Sequence, residues 1–403
     1  MQQIVFDTPY TFVPPRYNPF LAGLLRLFWL PGHLRKAYGV TSCEIVGAGK
    51  MRASFEAGHG VLAAANHCRP CDPMVLGHFL GREVSRAFHT MASAHLFRQG
   101  KVQAFLLPRM GSFSVYREGL DRESLNCAVQ LLSEAKHPLV VFPEGFVTRS
   151  NDMIRNLMDG ISFMTRLAAK QRATTGGKVV VHPVFIRYFF QGNIEAAIKS
   201  VIDDIENRLS WQPQTHLPLR DRVMKAGLAL LSLKEIEHMG AVRSGLPKER
   251  IAALLDHLLV PMESKWLCGR RDPDPMERIK KLRTAILQGM VGVDIKESDR
   301  ESRWRQLANL YLAQQLHCYP GDYIEGTELS ERWLETVERY EEDLTDTARA
   351  HQPVHAVICI GDAIEASGTR DRGAEADPLM KAVREQMQAM LEDSKSLRPK
   401  TSA

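Results

Sequence analysis

No part of the 403-residue sequence runs through about 18 consecutive apolar residues, the length a helix needs to cross a bilayer. The opening, MQQIVFDTPY, lacks the basic and apolar regions of a secretory signal. These two absences lead us to expect a chain that neither spans a membrane nor is exported. Cysteine is sparse: Cys43, Cys68, Cys71, Cys127, Cys268, Cys318 and Cys359 are odd in number and scattered. That is not a disulfide framework, and it points to a reducing compartment. Strong charge of one sign is also missing. Lys and Arg total 52 against 47 Asp and Glu, a formal charge of +5 spread along the chain, so no nucleic-acid footprint is indicated. A mild preference for anionic surfaces or phosphorylated substrates is the better reading. We find no fixed-period repeat, so an evident solenoid is not expected.

What is present is the balance of a globular protein, 44% hydrophobic and 25% charged. From residue 40 to about 188, the strand-like runs EIVGAG, GVLAAANH, HPLVVFPEG and KVVVHPVFIRYFF alternate with segments such as RESLNCAVQLLSEAK and NLMDGISFMTRLAAKQ. The latter space their apolar residues as helices do. Alternation of this kind predicts an α/β layer structure. From 194 to about 350 the pattern is helical throughout, broken by Pro and Gly clusters such as SGLPKE and RRDPDP. Strand character then returns in HAVICIGDAI, before a closing helix DPLMKAVREQMQAMLED. The late strand makes the helical block an insertion in one α/β domain. Near the start, residues 18–38 set Phe20, Leu21, Leu24, Leu25, Leu27, Phe28, Trp29 and Leu30 beside Arg26, Arg35 and Lys36. Such a segment lies in a headgroup layer or is a core helix ended by Pro31 and Gly32.

The sharpest chemical signal is Asn66-His67-Cys68-Arg69-Pro70-Cys71-Asp72, where the strand VLAAA ends. His and Asp five apart do not share a helix face, so a turn through Pro70 has to bring the carboxylate to the imidazole. A His so held takes a hydroxyl proton, and the carboxylate fixes its tautomer. By itself this spacing recurs by chance. The same stretch offers His67, Cys68 and Cys71 as zinc ligands, with His59 and His78 nearby, but no second matching pair closes a tetrahedron. A free Cys is more often buried than nucleophilic. In RMGSFSVYREG, Gly111 and Gly119 give backbone freedom and Arg117 offers a planar fork for phosphate or carboxylate, although a lone Arg is usually a solvated charge. In VVFPEGFVTRS an apolar strand enters Pro143, Glu144 and Gly145, a turn whose amides suit an anion. Glu144 also reads as an ordinary turn residue. In VVVHPVFIRY, Pro183 interrupts a strand, which predicts a sheet edge or a bulge unless something binds beside it.

These four segments, in this order and rough spacing, resemble the blocks of the glycerolipid acyltransferases, the phosphate-acyltransferase group that includes 1-acylglycerol-3-phosphate O-acyltransferases. Asn66, His67 and Asp72 match NH, four residues and D. Gly111 and Arg117 match Gly, five residues and Arg. Phe142, Pro143, Glu144 and Gly145 match FPEG, and Pro183 matches the Pro of the fourth block. Ser114 stands where an aromatic residue is usual, and Thr148 and Arg149 follow two residues later than the usual pair. The resemblance covers about residues 40–190, and the helical region matches nothing familiar.

The resemblance implies a glycerolipid-acyltransferase-like sheet flanked by helices, with a large all-helical insertion. It implies that His67 and Asp72 are catalytic, with His67 as general base oriented by Asp72. Asn66, Gly111, Arg117, Pro143, Glu144, Gly145, Thr148, Arg149 and Pro183 are then the substrate-binding set. Acyl-CoA or an acyl-carrier-protein thioester is the co-substrate, with no metal or other cofactor. The acceptor is a lysophospholipid such as 1-acylglycerol 3-phosphate, or an amino-acid lipid or glycolipid. A non-catalytic lipid-binding protein is the reading from another class. The expected organisation is a membrane-association segment at 1–39 and a catalytic domain at 40–193. A helical insertion at 194–352, a returning strand and helix at 353–395 and a polar tail at 396–403 complete it. The expected place is peripheral, on anionic lipid at the cytoplasmic face of a membrane.

Overall fold

A computed structural model describes residues 5–319, 321–369 and 377–399; part of the polar tail, 400–403, lies outside them. The chain divides into two compact units, 11–192 with 350–403 and 1–10 with 193–349.

The first unit is built on an eight-stranded sheet. Its strands are β1 (Val40–Val46), β2 (Gly60–Ala65), β3 (His89–Ser93), β4 (Ser112–Val115), β5 (Leu139–Val141), β6 (Val179–Phe190), β7 (Val354–Ile360) and β8 (Ile364–Glu365). They lie in the order β1-β7-β6-β2-β5-β3-β4, with β8 paired to β6. From β6 to β4 all neighbours are parallel, whereas β7 runs antiparallel to β6 and parallel to β1. The late strand of the sequence thus sits inside the sheet.

Strand periodicity separates two cores, because successive side chains point to opposite faces. Val61, Ala63 and Ala65 of β2 join Val180, Val184, Ile186 and Tyr188 of β6 on one face, with Leu30, Leu34, Met51 and Leu76. Leu62 and Ala64 join Val179 and Val181 on the other, with Ala128 and Leu132, Ile161 and Met164, and Val383 and Met387. Those last three pairs come from the helices Arg122–Glu134, Gly160–Ala173 and Pro378–Asp393. A sheet covered on both faces explains why GVLAAA is apolar without alternation, and every one of its residues is buried.

Pro183 overturns the edge or bulge expected of it. It sits mid-strand in β6, opposite Ala64 of β2, where the other flank of β6 passes from β8 to β7. Its carbonyl accepts from Gly361 N at 2.8 Å, so its nitrogen faces the same side. The Gly361 carbonyl that a backbone donor there would seek takes a ring nitrogen of His182 at 3.0 Å instead. A central strand tolerates proline where a side chain supplies the missing donor.

Residues 19–38 are helical from end to end, as Pro19–Leu24, a π-helical turn Leu25–Trp29, and Leu30–Tyr38. Pro31 and Gly32 do not end the helix. Pro31 falls just after the π-helical turn Leu25–Trp29, at the start of the last stretch, where the regular hydrogen-bond ladder is already interrupted. No helix among the described residues is long and apolar enough to cross a membrane.

The second unit holds the helices Ile194–Arg208, Leu219–Met239, Pro247–Trp266, Pro275–Gln288, Glu297–Cys318 and Glu331–Thr345. Leu254, Leu259, Ile279, Leu282, Ile286 and Leu310 are at the centre of its core. Three junctions between successive helices share one device. A buried Glu near the end of one helix takes the side edge of an Arg in the next: Glu206 with Arg222, Glu235 with Arg250, and Glu263 with Arg278. The Nε and Nη2 contacts run from 2.6 to 3.1 Å at sequence separations of 16, 15 and 15. The arginines recur at equal intervals, a periodicity our reading of the sequence missed.

Candidate active site

Parallel strands deliver the loops after their C-terminal ends to one rim of the sheet. In this sheet β2 and β5 are neighbours with Ala64 opposite Val141, so His67 and Glu144, each three residues further on, emerge side by side. The Glu144 carboxylate accepts His67 N at 2.7 Å with one oxygen and Arg155 N at 2.8 Å with the other. Burial pushes this carboxyl up, and the two backbone donors, then the nearby imidazole, oppose that. Thr148 secures the other side of the same residue: its N and Oγ1 donate to the His67 carbonyl at 2.7 and 3.2 Å. Glu144 and Thr148 thus hold the backbone of His67.

The imidazole is fixed just as firmly. The turn anticipated through Pro70 forms, and Asp72 opens the helix Asp72–Val75. His67 Nδ1 lies 2.8 Å from Asp72 Oδ2, an oxygen that also accepts Arg69 N at 2.9 Å. A carboxylate only accepts, so Nδ1 carries the proton and Nε2 keeps its lone pair. The ring stacks on Phe142, centroids 4.1 Å apart and planes 24° apart. Asp72 is fully buried, whereas 15% of the His67 side chain reaches solvent. This is the geometry of a base held in one tautomer with its reactive nitrogen open.

Asn66 is buried, and both ends of its amide are engaged by Ile186 of β6, whose N donates to Oδ1 at 2.7 Å and whose carbonyl accepts Nδ2 at 3.0 Å. Asn151 repeats this pairing with Tyr188 at 3.0 and 2.9 Å. Two side-chain amides therefore stand in for the rungs that β2 would supply, and the chain from His67 to Cys71 is released from the sheet to form the site.

Arg117, after β4, donates through Nη1 to the Gly145 carbonyl, which ties the second sequence block to the third. Its buried Nε has no hydrogen-bond partner among the described residues. Burial lowers the Arg117 pKa. His95 is pushed down to about 4, first by burial and then by the Arg117 charge. An anion with acceptor oxygens would satisfy a guanidinium so placed. Gly145 has φ +76°, and a Cβ there would meet Met158 Cε at 2.5 Å, so the turn that offers its carbonyl requires glycine. Pro143 accepts Met158 N at 2.9 Å in the same loop. Arg149 takes a left-handed backbone conformation at φ +59°. Gly111, at φ +95°, packs against Phe88 and His89 before β4, and among the described residues neither it nor Pro183 is hydrogen-bonded to His67, Asp72 or Glu144.

The competing readings of the same stretch find little support in the geometry. Cys71 is buried, and its thiol is pushed up to about 12 by burial and by Asp72 beside it, a poor nucleophile. Cys68 is buried with its sulfur 3.5 Å from the Ile186 carbonyl. No group of three or more His, Cys, Asp or Glu side chains among the described residues is arranged to hold a metal. Three participants were not foreseen: the Phe142 ring as a platform, Asn151, and Tyr188, whose hydroxyl donates to Asp72 Oδ1 at 2.6 Å.

Residues 48–187, the segment from the first helix after β1 to near the end of β6, match the family model described as Acyltransferase. No curated protein matches the chain. The segment that carries His67, Asp72, Arg117 and Glu144 is an acyltransferase domain of the glycerolipid acyltransferase family.

Proposed function

We propose that this protein transfers a fatty acyl group from an acyl-CoA or acyl-carrier-protein thioester to the hydroxyl of a lysophospholipid, with 1-acylglycerol 3-phosphate the favoured acceptor. The observation that carries this reading is the His67–Asp72 pair, Nδ1 engaged at 2.8 Å and Nε2 left open at a partly exposed position. His67 Nε2 takes the hydroxyl proton as the oxygen attacks the thioester carbonyl. The C–O bond forms, the C–S bond breaks, and the proton passes from the imidazolium to the departing thiolate. Asp72 stabilises the imidazolium meanwhile. No acyl-enzyme is needed, which suits a site whose cysteine thiols are buried. Arg117 receives the acceptor phosphate through the guanidinium edge that Gly145 does not use, a role for which its unpartnered Nε argues.

An acceptor whose chains lie in a bilayer requires the enzyme to dock there, and residues 18–38 are suited to it. Phe20, Leu27 and Phe28 are 81%, 61% and 74% exposed beside Arg26, Arg35 and Lys36, while Ala22, Leu30 and Leu34 are buried. We assign this face to an anionic membrane surface, bound peripherally on the cytoplasmic side.

The test is incubation of the purified chain with labelled palmitoyl-CoA or palmitoyl-acyl-carrier protein and a panel of lysophospholipids, amino-acid lipids and glycolipids, with products read by mass spectrometry. Phosphatidate formation is expected. Acylation confined to non-phosphorylated acceptors would remove the phosphate role of Arg117, and no acylation of any acceptor would favour a lipid-binding role.

A further inference from the structure

The Asp72 carboxylate accepts three hydrogen bonds. Two arrive on Oδ2, from His67 Nδ1 and Arg69 N. The third reaches Oδ1 from the phenol of Tyr188, 116 residues away, and at 2.6 Å it is the shortest of them. Tyr188 is fully buried in the core on that face of the sheet. Its backbone is fixed at both N and O by the amide of Asn151, so the phenol is delivered by a rigid strand.

We infer that Tyr188 is a positioning residue that sets both the rotamer of Asp72 and the basicity of His67. The inference rests on the reading of His67 as the general base. A carboxylate that accepts a strong donor has its charge spread over that bond, and it stabilises a neighbouring imidazolium less than a bare carboxylate would. The phenol therefore weakens the hold of Asp72 on a protonated ring while keeping the two side chains in line.

The other ionisable groups near the pair do not duplicate this action. Burial pushes the Cys71 thiol, 3.6 Å from the phenol, up to about 12, and Cys68 lies buried below the loop. Arg69 sits over the Tyr188 ring at 5.2 Å, and Tyr38 feels both Cys71 and Arg149. Glu144 faces the His67 backbone with both oxygens engaged. The Tyr188 pKa is raised well above 10, by burial and then by Asp72, so the phenol remains a donor throughout the working range.

The test compares Tyr188→Phe with the unmodified enzyme in the pH dependence of kcat/KM for acyl transfer, and in the titration of the His67 ring followed by NMR without substrate. The His67 resonance is identified by its loss in His67→Gln. We expect the acidic limb and the NMR midpoint to move up together by roughly one pH unit, with KM for the thioester unchanged. Incorporation of 3-fluorotyrosine at position 188 keeps the volume and strengthens the donor, so it should move both downward. That arm stands even if the Phe variant does not fold. A lower rate with limb and midpoint unmoved in both variants would reduce Tyr188 to packing and overturn the inference. Undiminished turnover by His67→Gln would instead overturn the base reading.

Discussion

The two units of this chain solve the same problem, fixing a charged side chain in a dry interior, and use the result differently. In the helical unit, Arg222, Arg250 and Arg278 each meet a buried Glu edge-on, with both carboxylate oxygens bound to the same guanidinium. Charge is cancelled within each pair, nothing reactive is left over, and the pairs define how one helix follows the next. In the sheet unit, Asp72 and Glu144 are equally buried, yet neither is matched by a guanidinium. Their partners are backbone amides, a phenol and an imidazole. That leaves negative charge beside His67, where the proposed reaction would form an imidazolium. Buried carboxylates paired with arginine build a scaffold, whereas Asp72 and Glu144, paired with weaker donors, hold the ring and the backbone of His67.

The largest effect that sharpens this contrast is on rate. His67→Ala should lower acyl transfer by about 10² to 10⁴, the range a general base supplies. The melting temperature should stay close to that of the unmodified protein, because the ring is partly exposed and stacks on Phe142 at the edge of the site. Wild-type turnover by a folded His67→Ala protein would show that the unmatched carboxylates serve structure alone.

Next in size is a break in the scaffold. Arg250→Ala leaves Glu235 buried and uncompensated, which costs about 3–5 kcal/mol, whereas replacing both partners with apolar residues of similar volume should cost far less. Chemical denaturation of Arg250→Ala and of the double variant Glu235→Leu with Arg250→Met measures the difference. Equal losses in the two would mean that the pair contributes attraction and not merely mutual compensation.

Smaller, and opposite in sign for the two units, is the response to pH. The Arg250 fork holds Glu235 below the usual carboxylate range, so its contribution is complete above the unfolded value of about 4.3 and is lost as pH falls through the folded value. Burial moves Glu144 the other way. Its contribution is complete below the unfolded value and declines as pH rises through the folded one. Stability measured between about pH 3 and 7 should thus show a fall on acidification that Glu235→Gln removes, and an opposing drift that Glu144→Gln removes. Identical pH profiles for the two variants would contradict the division.

What was legible in the sequence divides along physical lines. The α/β class and the helical insertion followed from apolar periodicity, a local property. The closeness of His67 and Asp72 followed from a five-residue turn. Tyr188 and Asn151 were not legible, because what places the phenol on Asp72 is the register of β6 against β2, a contact between distant segments. Glu144, Thr148 and Asn66 were picked out by their motifs, but the peptide groups that engage them belong to other loops and strands. The Arg–Glu spacing of 15 or 16 residues is visible in the sequence but carries no signal by itself, since charges on amphipathic helices usually mark a solvated face.

The smallest expected effect on the folded protein concerns residues 18–38. Phe28 and Trp29 are 74% and 48% exposed, so replacing both with Ser removes little packing. Stability should change by less than about 1 kcal/mol. Binding to lipid should change far more, because insertion of two aromatic rings adds to an attraction of about 1 kcal/mol per nearby Arg or Lys on an anionic surface. The Phe28→Ser, Trp29→Ser protein should stay in the soluble fraction when anionic liposomes are floated, and it should keep its activity on a detergent-dispersed acceptor. Raising the salt should weaken flotation of the unmodified protein, since exposed charges are screened beyond about 8 Å at physiological ionic strength. A double variant that still floats would move the docking surface elsewhere, and one that unfolds would make this helix part of the core.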